Sequence, residues 1–425
     1  MSETFRLIIS LALGLSWCLW VFILWWRKRP NIAIKNGQPV IVYASQTGQA
    51  RAAAQSQLAI LADAILLPLN RLTPQHFVAA SELHFYVSTY GDGEAPDNGR
   101  GFIKTLNKIN KDTLKAVKFS VTAFGDSRYP AFCAFGKKVY HQLTQFGAQP
   151  LAPMQCIDDN DPTRSRDEIE TFSTATLHEC LHLNPNSNSP GLYQLSLKVA
   201  SLAWQPGDLL EVVVPDQQGY CVPRSYSIAS AASDKLGTNV IKLLVRLHIK
   251  PDGQQGLVSG YLTQQCRIGT EIKVKVRANP ACQLRSESNP LLLIGAGSGL
   301  AGLLGHIEQR ALVADAGPVW LVYGEREPTQ DQHLASELSS WQQQNVLTRI
   351  DRTYSRQQQE ARYVQEVLLA QAQLVKQFIA EQGDIYVCGS LAGMGKAVHQ
   401  SLIEILGEDE LDELAIAGRY HRDLY

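Results

Sequence analysis

The sequence predicts an α/β domain with an open parallel sheet, then a small antiparallel β-barrel, then a second α/β domain. Three observations lead there. Short apolar runs alternate with helical stretches in the first third of the chain. From Leu192 the pattern becomes alternating, β-rich runs separated by turns, and from Asn289 the α/β alternation returns.

In the first unit, Pro39–Ala44 (PVIVYA), Leu83–Ser88 (LHFYVS) and Val117–Asp126 (VKFSVTAFGD) read as strands with helices between them. An open parallel sheet places its ligand at the carboxyl ends of its strands. Leu183–Pro190 (LNPNSNSP) has the composition of a linker. Beyond it LYQLSLKVA, DLLEVVVP, RSYSIAS, VIKLLVRLHI and EIKVKVRA suggest the barrel. The expected boundaries are 38–183 for the first domain, 184–190 for the linker, 191–286 for the barrel and 287–425 for the last domain.

Charge is balanced, with a net −1 over 425 residues, which excludes nucleic acid as the main partner. The eight cysteines are scattered without a CxxC pair, as in a reducing compartment, and no metal site is expected. Residues 5–26 differ from the rest. Leu7–Trp26 is uncharged, long enough to span a bilayer, and ends in a Trp pair followed by Arg27, Lys28 and Arg29. Interfacial aromatics and a basic cluster on the cytosolic side predict a single-pass membrane anchor with everything after Pro30 facing the cytoplasm.

Three loops leave the carboxyl edge of the first sheet. Ser45–Ala50 (SQTGQA) offers hydroxyls, a glycine and backbone N–H groups at a helix start; it serves equally as a phosphate cradle or an ordinary helix cap. Ser88–Asn98 (STYGDGEAPDN) and Phe124–Cys133 (FGDSRYPAFC) each hold a tyrosine, Tyr90 and Tyr129, in a turn-rich loop. Two rings beside a phosphate loop suit a flat ligand held between aromatic faces. The acidic residues Asp92, Glu94, Asp97 and Asp126 form a solvated rim or meet a basic partner.

In this order and spacing the loops resemble the FMN-binding, flavodoxin-like domain of the diflavin reductases. That family includes the NADPH–haemoprotein reductases and the flavoprotein subunit of sulfite reductase. The resemblance implies that Ser45, Gln46, Thr47, Gly48, Gln49 and Ala50 hold the FMN phosphate. It also implies that Tyr90 and Tyr129 flank the flavin ring, and that Thr89, Gly91, Gly125, Asp126, Phe132 and Cys133 line it. Arg224–Ser227 (RSYS) matches the family's R-x-Y-S on a ferredoxin–NADP reductase-like FAD barrel. There Arg224 pairs with the pyrophosphate, Tyr226 packs on the flavin and Ser227 lies near flavin N5. Gly256, Leu257, Val258 and Ser259 match the stretch whose N–H groups meet the same pyrophosphate.

In the last domain Gly297-Ser298-Gly299-Leu300-Ala301-Gly302 satisfies G-x-G-x-x-G directly after an apolar strand. As a simple dinucleotide fold, Glu325 at the end of the next strand would hold a ribose and imply NAD. The family resemblance implies NADPH instead, with Ser355, Arg356, Tyr363 and Gln365 at its extra phosphate. It further implies that Cys388, in Tyr386–Ser390 (YVCGS), sits by the nicotinamide, that Asp423 is the acid near it, and that Tyr425 stacks on the FAD ring. Ser227, Cys388 and Asp423 would then form the hydride-transfer site.

The chain departs from the family pattern in places. Ser390 stands where relatives carry Asp, Ala296 and Gly302 replace prolines, and Ala361-Arg362 shifts a basic residue by one position. The gap between Pro215 and Arg224 holds no helical connecting domain, which predicts a short form with a direct but freer contact between halves. The expected activity is an anchored NADPH-dependent diflavin oxidoreductase passing electrons from NADPH through FAD and FMN to a one-electron acceptor such as a haemoprotein. The alternatives are a reductase for a metal complex such as a ferric siderophore, and a non-catalytic redox sensor.

Overall fold

The computed structural model describes residues 34–425 apart from 47, 92, 108, 111–113, 128–129, 159–170, 216–222, 233, 235–238 and 357–361. The expected anchor at 5–26 lies outside the described residues, as do Thr47 and Tyr129. Among the described residues no helix is long and apolar enough to cross a membrane.

Strands β1 (Gln38–Ala44), β2 (Ile65–Pro68), β3 (Ala80–Ser88), β4 (Lys118–Gly125), β5 (Gln149–Pro150) and β6 (Gln155–Asp158) build the first sheet. Its order is β2-β1-β3-β4-β5, with β6 also pairing β4, and every pairing is parallel. Val40, Ile41 and Val42 are consecutive and all buried, so both faces of β1 are covered. The helix α1 (Gln49–Ile60) follows β1, and α2 (Ala134–Gln145) follows β4.

The second sheet holds β7 (Ser173–His182), β8 (Leu192–Val199), β9 (Leu209–Val213), β10 (Arg224–Ser227), β11 (Val240–Arg246) and β12 (Glu271–Arg277), in the order β10-β9-β12-β7-β8-β11. All its pairings are antiparallel. The outer strands meet at an isolated Ile228–Leu243 bridge. The expected barrel is thus a curled six-stranded sheet, not one closed by a full ladder. β7, expected at the end of the first domain, belongs to this sheet. Residues 183–190, expected to link two domains, instead form the hairpin loop from β7 to β8. Asn184 closes that loop: its Oδ1 accepts the Leu192 N–H at 2.6 Å and its Nδ2 donates to the Pro190 carbonyl at 3.4 Å.

The third sheet contains β13 (Leu291–Ala296), β14 (Val319–Glu325), β15 (Arg349–Tyr354), β16 (Asp384–Gly389) and β17 (Tyr420–Leu424). Its order is β15-β14-β13-β16-β17, all parallel. The winding reverses between β13 and β16, where an open sheet leaves its ligand crevice. Helix α3 (Leu300–Ala311) starts there; α4 (Lys396–Leu406) and α5 (Glu408–Ile416) lead back to β17. As the outermost strand, β17 presents alternate side chains to its two faces. That alternation organises the site.

Candidate active site

The first loop leaves β1 at Ala44 and enters α1 at Gln49, turning through Gly48 at φ +85. A Cβ on Gly48 would lie 2.8 Å from the Ala278 carbonyl oxygen of the second domain, so only glycine fits this turn against its neighbour. The Ser45 N–H donates to Asn98 Oδ1 at 2.9 Å, while its buried hydroxyl has no partner among the described residues. A cavity of about 300 Å³ beside this loop is lined by Ser45, Gln46, Gly48, Arg51 and Arg71 and, from the last domains, by Arg285. An orphaned hydroxyl with guanidiniums close by fits the anionic end of FMN. Ala50 is buried at the first turn of α1 and Gln49 half-buried before it.

The Tyr90 loop is closed by reciprocal backbone bonds between Tyr90 and Glu94 at 3.0 and 2.7 Å, with Gly91 and Gly93 at positive φ. Tyr90 is buried, and its hydroxyl too has no partner among the described residues. Thr89 Oγ1 accepts the Phe135 N–H at 3.2 Å. In the third loop, a Cβ on Gly125 would lie 2.8 Å from the Cys133 nitrogen, so glycine lets the loop fold back on its strand. Cys133 is buried at φ +55, Phe132 half-buried beneath Lys137, and Asp126 half-buried. Twelve of the fourteen expected FMN residues therefore converge on one edge through three loops, and Thr47 and Tyr129 lie outside the described residues.

At the second sheet, β10 carries Arg224 and Tyr226, both half-buried, and Ser227, buried at its end. Gly256 precedes a single helical turn, Leu257–Gly260. There the Ser259 hydroxyl accepts the His248 N–H at 3.1 Å and donates to the Gly256 carbonyl, so it braces its own loop. Val258 is buried in the core of this sheet; Leu257 is exposed.

In the third unit Gly297 sits at φ +59 after β13, and Gly299 and Gly302 lie against the end of β16. A Cβ on Gly299 would come within 2.1 Å of the Cys388 carbonyl oxygen, and one on Gly302 within 2.8 Å of Cys388 Sγ. The glycines thus let α3 start on top of Cys388. Ser355 and Arg356 follow β15 directly. The Ser355 N–H bonds the Glu325 carbonyl, and Arg356 Nη1 pairs with Glu327 at 3.0 Å. Tyr363 is exposed and Gln365 half-buried at the start of the next helix. Glu325 itself turns inward. Its Oε1 accepts from Tyr323 at 2.6 Å and Arg246 at 3.2 Å, with His333 Nε2 at 3.0 Å. The nearby group Glu325, Asp331 and His333 is close enough to share a cation, but Glu325 already has these partners.

The three residues expected to form the hydride site come together. Ser227 donates to Asp423 Oδ2 at 2.5 Å, and Cys388 Sγ donates to the same oxygen at 3.5 Å. Pairing of β16 with β17 sets Cys388 opposite Asp423. Burial pushes the Asp423 carboxyl above its ordinary range, and the bonds from Ser227 and Cys388 pull it partly back. Burial and the Asp423 charge push the Cys388 thiol well up, so it sits there as a neutral donor. Tyr425, just past β17, is 55 % exposed and bonds Ser298 of the glycine loop at 2.8 Å.

Sequence reasoning missed the other face of β17. Arg422 is buried between Asp97, which its Nε meets at 3.0 Å and its Nη2 at 2.5 Å, and the Tyr90 ring, 4.9 Å from its guanidinium carbon. Gln46 bonds Asp97 Oδ2 and the Arg422 carbonyl, both at 2.9 Å, and accepts the Asp97 N–H. Arg100 adds ion pairs to Asp97 and to Asp412 of α5. The acidic loop thus faces the chain's own arginine. Removing one partner of such a buried pair typically costs about 3–5 kcal/mol. The expected looseness between the halves meets, in this structure, a direct and charge-paired interface.

Comparisons with known proteins agree with this geometry. Residues 41–172 match the flavodoxin family and residues 293–400 the oxidoreductase NAD-binding domain. Among curated proteins the chain is similar to the sulfite reductase [NADPH] flavoprotein alpha-component of Vibrio cholerae, 26 % identical over 92 % of this chain and 88 % of the relative. The alpha-component of Escherichia coli O1:K1 is 25 % identical over 91 % and 89 %. That of Vibrio vulnificus is 34 % identical over 48 % of this chain and 35 % of the relative. The Vibrio cholerae alignment runs over 540 positions, more than the 425 residues here, so the relative has stretches without counterpart in this chain. FMN is the cofactor of the first module, FAD and NADPH those of the second half.

Proposed function

We propose that this chain, a diflavin reductase of the short form, oxidises NADPH and delivers the electrons singly to an acceptor protein while anchored in a membrane by residues 5–26. The flavins, when bound, supply the conversion of a two-electron hydride donor into one-electron steps. The chain's residues supply place and proton balance. Ser227, Cys388 and Asp423 set donors and a carboxylate where the hydride is expected to pass. Arg224 and the 256–259 turn offer charge and N–H groups to a pyrophosphate, and Ser355 and Arg356 a hydroxyl and guanidinium to a 2′-phosphate.

The observation that carries this reading is the convergence of the Ser227 hydroxyl and the Cys388 thiol on one carboxylate oxygen of Asp423. The acceptor is proposed to be a haemoprotein of the sulfite reductase type, because the relatives are named as that enzyme's flavoprotein components. Purified protein should hold both flavins and reduce an artificial one-electron acceptor with NADPH; absence of either sinks the reading. Anchoring is tested separately, by asking whether the whole chain sediments with membranes while residues 34–425 do not.

A further inference from the structure

We infer that Arg422 is a positioning residue that seats the FMN domain directly on the strand carrying the hydride site, in place of a separate connecting domain; this rests on the diflavin reading above. Successive residues of β17 serve the two sites from opposite faces. Asp423 faces Ser227 and Cys388, whereas Arg422 faces Asp97 and the Tyr90 ring. The expected hydride site and the expected FMN loop are therefore separated by the thickness of one strand.

The seat is built from three independent contacts. The guanidinium holds the Asp97 carboxylate through two nitrogens. The Arg422 carbonyl, on the free edge of the sheet, accepts from Gln46 of the phosphate loop. The Gly91 turn packs so closely on Leu391, just beyond β16, that a Cβ there would lie 2.9 Å from a Leu391 methyl. Arg422 also stands over Tyr420, whose ring stacks on His399 of α4 at 5.9 Å, so the guanidinium is fixed from its own domain before it meets the other. A residue anchored on one side and bidentate on the other sets distance and orientation together. Asp97 and Arg422 are 325 positions apart, so no local turn could hold them.

The experiment compares the whole chain with Asp97→Asn, Arg422→Gln and the double variant. Small-angle scattering and amide exchange at residues 88–98 and 420–424 are read with and without flavins. Transient kinetics then separate flavin reduction by NADPH from the transfer between flavins. Each single variant should enlarge the particle, speed exchange at both segments, and slow the second step about tenfold. The double variant should be no worse than either single, because both remove one contact. Asp97→Asn should leave the first step unchanged. Unaltered scattering and exchange in the single variants, or single effects that multiply in the double, would overturn the inference. If no flavin binds, the functional reading fails, while scattering and exchange on the flavin-free chain still decide whether Arg422 seats the domain.

Discussion

Ser227 Oγ donates to Asp423 Oδ2 at 2.5 Å, joining two residues 196 positions apart across the seam between the second and third sheets. Asp423 is buried, and that burial raises its pKa while the Ser227 bond opposes the rise. Ser227→Ala removes a donor that favours the charged form, so the Asp423 pKa climbs further. Flavin reduction by NADPH should then slow about 10- to 100-fold with little change in KM. The acid limb of its pH profile should move to higher pH. Stopped-flow measurements across pH test this; a slower rate with an unmoved limb would remove Asp423 ionisation from the step.

Gly299 makes a second, steric prediction. A Cβ there would stand 2.1 Å from the Cys388 carbonyl oxygen and 2.8 Å from Gly389 Cα, both backbone atoms that cannot swing away. Gly299→Ala should destabilise the chain by about 1–3 kcal/mol, as overpacking does, and weaken NADPH binding. Gly101→Ala is the control for added bulk: among the described residues nothing lies within 4 Å of its Cβ, although its φ of +71 adds strain of its own. Chemical denaturation and NADPH titration measure both effects.

Much of this architecture is legible in the sequence because strands and helices announce themselves by period. The glycine loops follow their strands directly, so Gly48 and Gly297 fall where expected. β7 was hidden because its run, STATLHECLH, is continuous in the chain with the first domain, while its hydrogen bonds go to β8 and β12. The Ser227–Cys388–Asp423 group was reached through family resemblance. No periodicity links three residues on strands of different sheets. Arg422 read only as part of a basic, aromatic tail, since its partner is set by tertiary packing alone.

The Asp97–Arg422 pair predicts how acid acts. Burial would raise Asp97, but the charges of Arg422 and Arg100 outweigh it and hold the carboxyl below its ordinary 3.8. A carboxyl depressed in the folded state adds stability above its unfolded value and loses it as pH falls through its folded one. The interface should therefore stay closed at neutral pH and loosen only below pH 3.8. Light scattering during an acid titration should show expansion in that range. Asp97→Asn should be expanded already at neutral pH.

Arg356 predicts coenzyme choice. Its ion pair with Glu327 is partly exposed, and surface pairs of this kind contribute about 0.2–1 kcal/mol. A phosphate can therefore draw the guanidinium away at small cost. Arg356→Ala should raise KM for NADPH about tenfold or more while leaving KM for NADH nearly unchanged. Equal effects on both coenzymes would place the 2′-phosphate elsewhere.

Tyr425 gives the last prediction. It stands just beyond the hydride-site strand, and its hydroxyl bonds Ser298 of the loop expected to receive the nucleotide. Its backbone is fixed at both ends of the residue: the N–H bonds the Gly389 carbonyl at 3.1 Å and its carbonyl accepts the Leu391 N–H at 3.0 Å. The residue is 55 % exposed overall, and of these bonds only the one to Ser298 ties down its phenol, while the backbone stays paired on both sides. A nicotinamide competing for that position must displace the ring and break the Ser298 bond. Tyr425→Phe removes only the bond, so it should ease displacement and lower KM for NADPH modestly. Tyr425→Ala removes the ring as well and should strengthen NADH use relative to NADPH, because the barrier common to both coenzymes is gone while the Arg356 contact still favours only one. FMN content should be unchanged in both variants. Steady-state kinetics with each coenzyme, beside flavin release and assay, decide the matter: if neither variant shifts coenzyme choice or turnover, the Tyr425 ring does not stand in the nicotinamide's way.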